Sequence, residues 1–329
     1  MRAIVNTGPN QLELAKLPLP DPQAGQVRIQ TAACGICATD FKMIAGWERT
    51  GFPAIPGHEW SGIVESVGGG VDAGWIGRRC VAQNVLTDGG EVGFEHPGGY
   101  SEYFVTDAAN LRFLPDNFSL TEATLIEPLA ICVRGIRRLR LEDRRTALIF
   151  GDGPIGLLML CLLRLQKVEY ILLAGGRPAR LKLAREIGAD MTLNYHELGV
   201  DLVAKIHGRF RLGFANVIEA SGSDTAMRAC LPVAQDKGKI LVIGDYGSAQ
   251  ADFLLNDLLL HELELIGSNA SAGAWDDALR LATEGAIPLA KLISRTVPAE
   301  EFKQGMELAR NSPEMIKVVL KWMHDNAVS

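Results

Sequence analysis

Three groups of residues in this 329-residue chain have the types and spacing to do chemistry. Cys37 is followed 21 positions later by His58, inside Gly57-His58-Glu59. A catalytic zinc takes three protein ligands and keeps a fourth position open, and thiolate, imidazole and carboxylate all serve as its donors. Cys37 and His58 are the best two candidates, with Glu59 or Glu127 as the third. Glu127, in Glu127-Pro128-Leu129-Ala130, is distant in sequence and needs the fold to bring it in. The remaining group is Gly151-Asp152-Gly153-Pro154-Ile155-Gly156, set between the apolar strand Thr146–Phe150 and a long apolar helix opened by Pro154. In that context Gly151 allows a tight turn, Gly153 lets the backbone approach a pyrophosphate and Gly156 permits close helix–strand packing. The helix start then offers free N–H groups and the positive end of its dipole to the phosphates. A Lewis acid beside a nicotinamide is the apparatus for moving hydride on and off an alcohol carbon. Either motif alone recurs by chance; both together, in this order, point to one chemistry.

The second strand of the nucleotide region departs from the usual pattern. An NAD site ends this strand in Asp or Glu, which binds the ribose 2′-OH. Here it ends Leu173-Ala174-Gly175-Gly176-Arg177, and Glu169 lies at the wrong end. A small residue followed by a guanidinium suits a 2′-phosphate, so NADP is favoured over NAD, although an arginine also suits a helix end or a solvent face. The coenzyme is expected to touch Gly151, Gly153, Pro154, Ile155, Gly156, Gly175 and Arg177, with Gly244 and Ser268 completing the set. Cys34-Gly35-Ile36-Cys37 also spells C-x-x-C, but no second pair closes a four-cysteine zinc site and no thioredoxin-like pattern surrounds it. Cys34 therefore reads as a buried bystander.

The elements that must position these groups fall into two regions. The first is β-rich and irregular, with short runs such as Ala3–Val5 and Gln26–Thr31 separated by Pro18, Pro20, Pro22 and Gly25. Glycines crowd residues 57–99, as expected of a partly open barrel with tight corners. After about residue 120, apolar strands recur at Ala147–Phe150, Tyr170–Ala174, Met191–Leu193, Val217–Ala220, Ile240–Ile243 and Leu263–Ile266, with segments such as Pro154–Lys167 and Arg177–Ile187 long enough for helices. Continuous rather than alternating hydrophobicity predicts a parallel sheet covered on both faces, a doubly wound α/β fold. The expected division is a catalytic part over 1–128, a dinucleotide domain over 129–288 and a return to the catalytic domain over 289–329.

Composition narrows the partners. Hydrophobic residues make up 47% and charged residues 22%, as in soluble globular chains, and the net charge of −6 disfavours nucleic acid. The most basic stretch, Arg134 to Arg140, runs straight into Glu142 and Asp143. The start lacks the apolar core of a secretory leader, and the longest apolar run, Ile155 to Leu163, is far short of the ~18 residues that span a membrane. Six cysteines do not make a secreted-type disulfide framework, so a cytoplasmic protein with no membrane partner is expected.

The chain resembles the zinc-containing medium-chain dehydrogenases of the alcohol, polyol and threonine dehydrogenase kind, nearly end to end. The resemblance rests on Gly35-Ile36-Cys37-Ala38-Thr39-Asp40, Gly57-His58-Glu59, Gly98-Gly99-Tyr100-Ser101-Glu102-Tyr103, Glu127-Pro128-Leu129-Ala130 and the glycine motif. Glu127-Pro128-Leu129 is closest to the polyol (sorbitol) and threonine branches. The resemblance implies a GroES-like catalytic barrel with a Rossmann domain, and Cys37 and His58 as ligands of one catalytic zinc. It implies Glu59 as ligand or near neighbour, and Glu127 as ligand in some states or holder of a zinc-bound water. Thr39 would take the substrate's proton, and Asp40 would orient the His58 ring. Homo-oligomers, dimers or tetramers, are the family habit. Two positions depart from it. The stretch Arg79–Tyr100, where relatives often hold a structural zinc with four cysteines, has only Cys80, and the frequent relay histidine two residues past Asp40 is Lys42.

The expected function is reversible oxidation of a small secondary alcohol, of polyol, sugar or amino-alcohol type, to the ketone. Two readings compete: a zinc-free quinone or enone reductase of the same fold, which has no use for Cys37 and His58-Glu59, and a nucleotide-binding protein without turnover, which has no use for intact ligands.

Overall fold

The computed structural model describes residues 1–323. Its strands, in chain order, are β1 (Arg2–Gly8), β2 (Gln11–Lys16), β3 (Gln26–Gly35), β4 (Glu59–Val67), β5 (Arg79–Ala82), β6 (Tyr103–Asp107) and β7 (Leu111–Phe113). Then come β8 (Thr146–Phe150), β9 (Tyr170–Gly175), β10 (Met191–Asn194), β11 (Phe214–Glu219), β12 (Ala234–Val242) and β13 (Glu264–Gly267). Last are β14 (Ile293–Pro298) and β15 (Lys317–Lys321). The chain divides into two compact units. The first comprises Met1–Glu127, Trp275–Gly285 and the chain from Leu289 onward; the second comprises Pro128–Ala274 with Ala286–Pro288. Among the described residues no helix is long and apolar enough to cross a membrane.

The first unit is built on a seven-stranded sheet in the order β14-β15-β3-β4-β5-β7, with β6 also paired to β3. The ten-residue β3 is its spine, antiparallel to β4, β6 and β15. The register shifts between Arg28 and Ile29 and again between Thr31 and Ala33 of β3, and such irregularities bend a strand around a barrel wall. Ile4, Val27, Ile29, Val64, Tyr100, Phe104 and Leu320 fill its core.

The second unit holds a six-stranded, wholly parallel sheet in the order β10-β9-β8-β11-β12-β13. The chain starts in the middle at β8, winds to one edge, then returns beside β8 and winds to the other. That reversal, between β8 and β11, is where ligands of doubly wound sheets bind. All six residues of β11 are buried, as a strand covered on both faces requires. The helix Pro154–Leu165 carries its proline at the first turn, where no N–H is needed, and buries every residue from Gly156 to Leu163. The observed β11 and β12 begin three and six residues before the apolar runs that mark them in the sequence, at Phe214 and Ala234. In β12 the early residues are partly or fully exposed, so apolar clustering reveals only its buried end.

Candidate functional site

Strand pairing brings the metal-type residues together. Gly35 at the end of β3 pairs with Glu59 at the start of β4, so Cys37, just past one strand end, meets His58 and Glu59. Val319 of β15 pairs with Gly35 on the other side, which carries Lys317 to the same place. One ligand atom from each of Cys37, His58 and Glu59 lies within 4.8 Å of the others. Gly57 holds φ +102°, and a Cβ there would come 2.6 Å from the Tyr100 ring, 2.7 Å from its backbone N and 2.9 Å from Cys34 Sγ. Only glycine fits, and its left-handed turn aims His58 inward.

Cys37 caps the helix Ala38–Ala45, and Asp40 reaches back so that Oδ2 accepts from the Cys37 N–H at 2.8 Å and from Tyr100 Oη at 2.8 Å. Asp40 Oδ1 lies 3.3 Å from His58 Nδ1 but off the line of a hydrogen bond, so both buried atoms are left without a hydrogen-bond partner. Burial opposes a charge on His58, yet Asp40 and Cys37 outweigh it and raise its pKa well above the usual range. Thr39 Oγ1 stands 3.7 Å from Cys37 Sγ. Lys317 Nζ donates to both Glu59 oxygens, at 2.8 and 2.5 Å, and to the Ile36 carbonyl at 3.1 Å. Glu127 lies outside the three-residue cluster, in the first turn of the helix Ile126–Leu139. Burial pushes its carboxyl up to about 7, with His58 opposing and Glu59 adding to the rise, although the residue keeps some exposure. Cys34 is fully buried, and burial raises its thiol well above the usual range.

Sequence reasoning missed two supports of this cluster. Lys317 gave no signal because a lysine in a strand reads as solvated. The other is the segment 84–98, where Gly93 sits so tightly on Gly57 and His58 that a Cβ would meet their backbone at 2.6–2.7 Å. This places the Phe94 ring 4.8 Å from the His58 ring. Arg49 stacks on Phe94 at 4.5 Å and donates to Glu91 and Glu95 at 2.5–3.0 Å, tying the segment down.

In the second unit, Gly151 follows β8 with φ +119°, and a Cβ on Gly156 would come 2.0 Å from the Gly151 carbonyl oxygen. A Cβ on Gly153 would meet nothing within 4 Å, so the loop backbone stands open where Pro154 and Ile155 begin the helix. Gly175 ends β9 and Arg177 precedes the helix Pro178–Glu186. Gly244 and Ser268 line a cavity of about 590 Å³ beyond the ends of β12 and β13, together with Arg134, Arg138 and Asn269. Ser268 Oγ and Arg134 Nε there are buried without a hydrogen-bond partner.

Two family models match the chain: the alcohol dehydrogenase GroES-like domain over residues 23–116 and the zinc-binding dehydrogenase over 154–284. The chain belongs to the zinc-containing medium-chain dehydrogenases. Among the curated members of this family, it is 28% identical to a D-arabitol-phosphate dehydrogenase of Enterococcus avium, covering 95% of each chain. It is also 28% identical to a sorbitol dehydrogenase of Bombyx mori, covering 95% of this chain and 96% of that one. An Escherichia coli CFT073 alcohol dehydrogenase solved with NADH superposes with a TM-score of 0.91 at 25% identity, over 98% of this chain and 99% of that one. The medium-chain dehydrogenase architecture of GroES-like and Rossmann-type domains is thus that of both units described above.

Proposed function

We propose that this dehydrogenase interconverts a small secondary alcohol of polyol or sugar type and its ketone, with a nicotinamide coenzyme and one catalytic zinc. The observation that carries the reading is the buried Cys37–His58–Glu59 cluster beside Thr39. Its donor set is one that zinc prefers, and the buried, unpartnered Nδ1 of His58 faces a carboxylate of the kind that fixes metal-bound imidazoles. Cys37, His58 and either Glu59 or Glu127 would hold the zinc, which supplies a Lewis acid for the alcohol oxygen while the nicotinamide takes up or returns hydride. Asp40, fixed by the Cys37 N–H and by Tyr100, orients the His58 ring. Lys317 neutralises Glu59 and holds it in one rotamer. Thr39 Oγ1, beside the Cys37 sulfur, accepts a hydrogen bond from the alcohol and relays the proton, passing its own hydroxyl proton on toward solvent as it takes the alcohol's. Phe94 covers one side of His58 and offers the substrate an apolar wall.

The open loop at Gly153 and the unpartnered Ser268 Oγ fit a dinucleotide laid across the ends of β8, β12 and β13. The missing acid at the β9 tip and the Arg177 guanidinium support NADP ahead of NAD. Six cysteines in 329 residues, too few and too scattered for a secreted-type disulfide framework, support a cytoplasmic setting. Self-association is supported by the helix Leu255–Leu260 and the edge strand β13, where Leu254, Leu255, Leu259 and Leu260 are each more than 70% exposed and Leu265 is 42% exposed. The deciding experiment is a panel of polyols, sugar alcohols, amino-alcohols and primary alcohols with NADP and NAD, on protein of measured zinc content. Secondary-alcohol-dependent reduction at about one zinc per chain is expected. Preference for unsubstituted primary alcohols, or turnover unaffected by zinc removal, overturns it.

A further inference from the structure

The second residue of the glycine motif does something the motif does not require. Asp152 is 3% exposed, and its Oδ2 accepts from the backbone N–H of Gly176 at 2.9 Å and of Arg177 at 2.8 Å. A Cβ built on Gly175 would lie 2.6 Å from Asp152 Cβ, 2.8 Å from Cγ and 2.7 Å from Oδ2. The carboxylate thus stands where a side chain at the strand tip would be, delivered from the loop after β8 instead of the end of β9. It also excludes any side chain at 175. Its other oxygen, Oδ1, is 3.8 Å from Nη1 of both Arg177 and Arg180.

The local charge is two guanidiniums against one carboxylate. Arg180 is nearly buried, and its pKa is pushed down to about 10 by burial and by Arg177, with Asp152 pulling the other way. The two arginines therefore repel each other, and an anion between them is worth having. Asp152 supplies one permanently. A coenzyme 2′-phosphate supplies a second, which gains from the guanidiniums and pays repulsion from the carboxylate.

We infer that Asp152 sets coenzyme selectivity: it balances Arg177 and Arg180 when no 2′-phosphate is present, so that the site prefers NADP only shallowly and accepts NAD as well. Asp152 is a positioning residue on this account, acting through the two arginines and the turn at Gly176. The inference rests on the dinucleotide reading of the second unit, and a binding test separates the two. Calorimetric affinities for 2′,5′-ADP and 5′-AMP, which differ only at the group in question, need neither substrate nor turnover.

Parent protein should bind both nucleotides, with 2′,5′-ADP the tighter. Asp152→Asn keeps an oxygen for the turn and removes the charge. It should raise the preference for 2′,5′-ADP about tenfold, the scale of one unit charge a few ångströms away at the partly exposed edge of a protein. The KM ratio for NAD over NADP should rise with it, at little change in kcat. Arg177→Ala should lower the preference. The exchange Asp152→Gly with Gly175→Asp, which removes the Cβ that a side chain at 175 would strike and moves the acid to the strand tip, should fold and shift preference toward 5′-AMP, whereas Gly175→Asp alone should not fold stably. A preference that is unchanged or falls in Asp152→Asn overturns the inference, as does a stable Gly175→Asp single variant. Parent protein that binds neither nucleotide overturns the dinucleotide reading and the inference with it.

Discussion

Replacing Lys317 by Met tests how the metal-type cluster is held together. The perturbation removes the ammonium that bonds both oxygens of Glu59, and both side chains are almost completely buried, at 3% and 2% exposure. Met keeps most of the apolar stem, so the change is chiefly electrostatic. Removing one member of a buried ion pair costs about 3–5 kcal/mol, because the survivor is left charged and desolvated. For a domain of this size that corresponds to a fall in Tm of about 2–4 °C per kcal/mol, hence on the order of 10 °C in total. Glu59 sits within 4.8 Å of the Cys37 and His58 ligand atoms, so a bound divalent cation would take over part of the lysine's charge. The loss should therefore be largest in metal-free protein and at least halved when zinc is bound. Thermal unfolding of both forms measures this, and Lys317→Met with Glu59→Gln should recover most of the loss by removing both charges. The reasoning is refuted if metal-free Lys317→Met stays within about 1 kcal/mol of the parent. An equal loss with and without zinc would refute the coupling to the metal.

Three further outcomes are expected. Thr39→Val keeps the shape beside Cys37 and removes the hydroxyl; kcat should fall by about 10²–10⁴ while zinc content stays at the parent value, and a near-normal kcat would reassign the proton to Lys42 or to a water held by Glu127. The proposed self-association through the exposed leucines predicts that Leu255→Glu with Leu259→Glu sediments as a monomer with an unchanged circular dichroism spectrum, and sedimentation identical to the parent's would refute a role for this face in assembly. Hydrogen bonds from Arg145 hold Asp143 down at about 2, so its contribution to stability is complete above the ordinary carboxylate range and is lost as pH falls from about 4 through 2. Asp143→Asn should accordingly flatten the acid limb of Tm against pH in that window, and an unchanged slope would show that the pair contributes nothing.

Some of this protein is written locally in its sequence, and the physical reason is that local rules suffice there. The strand–glycine–helix run from Thr146 to Leu163 needs only a buried strand, three residues without side chains and a proline where no N–H is wanted. The parallel sheet follows from continuous apolar runs, since strands covered on both faces have no polar side to show. His58-Glu59 and Cys37 were legible as candidate metal donors because a nucleotide-binding motif accompanies them in the same chain, either signal alone being one that recurs by chance.

What tertiary structure alone decided is which distant groups share a charge or a wall. Lys317 joins Glu59 across 258 residues because β15 pairs with β3 beside β4, and nothing in a lysine near the C-terminus announces it. Phe94 reaches His58 because Gly93 can press against the Gly57 backbone, a fit visible only in three dimensions. The strand tip at Gly175 reads as lacking an acid, which is true of β9 itself, yet the Asp152 carboxylate stands there, carried by the loop that follows the neighbouring strand β8. Sequence reports what a strand carries; only the packing of neighbouring strands reports what charge a ligand at its end will meet.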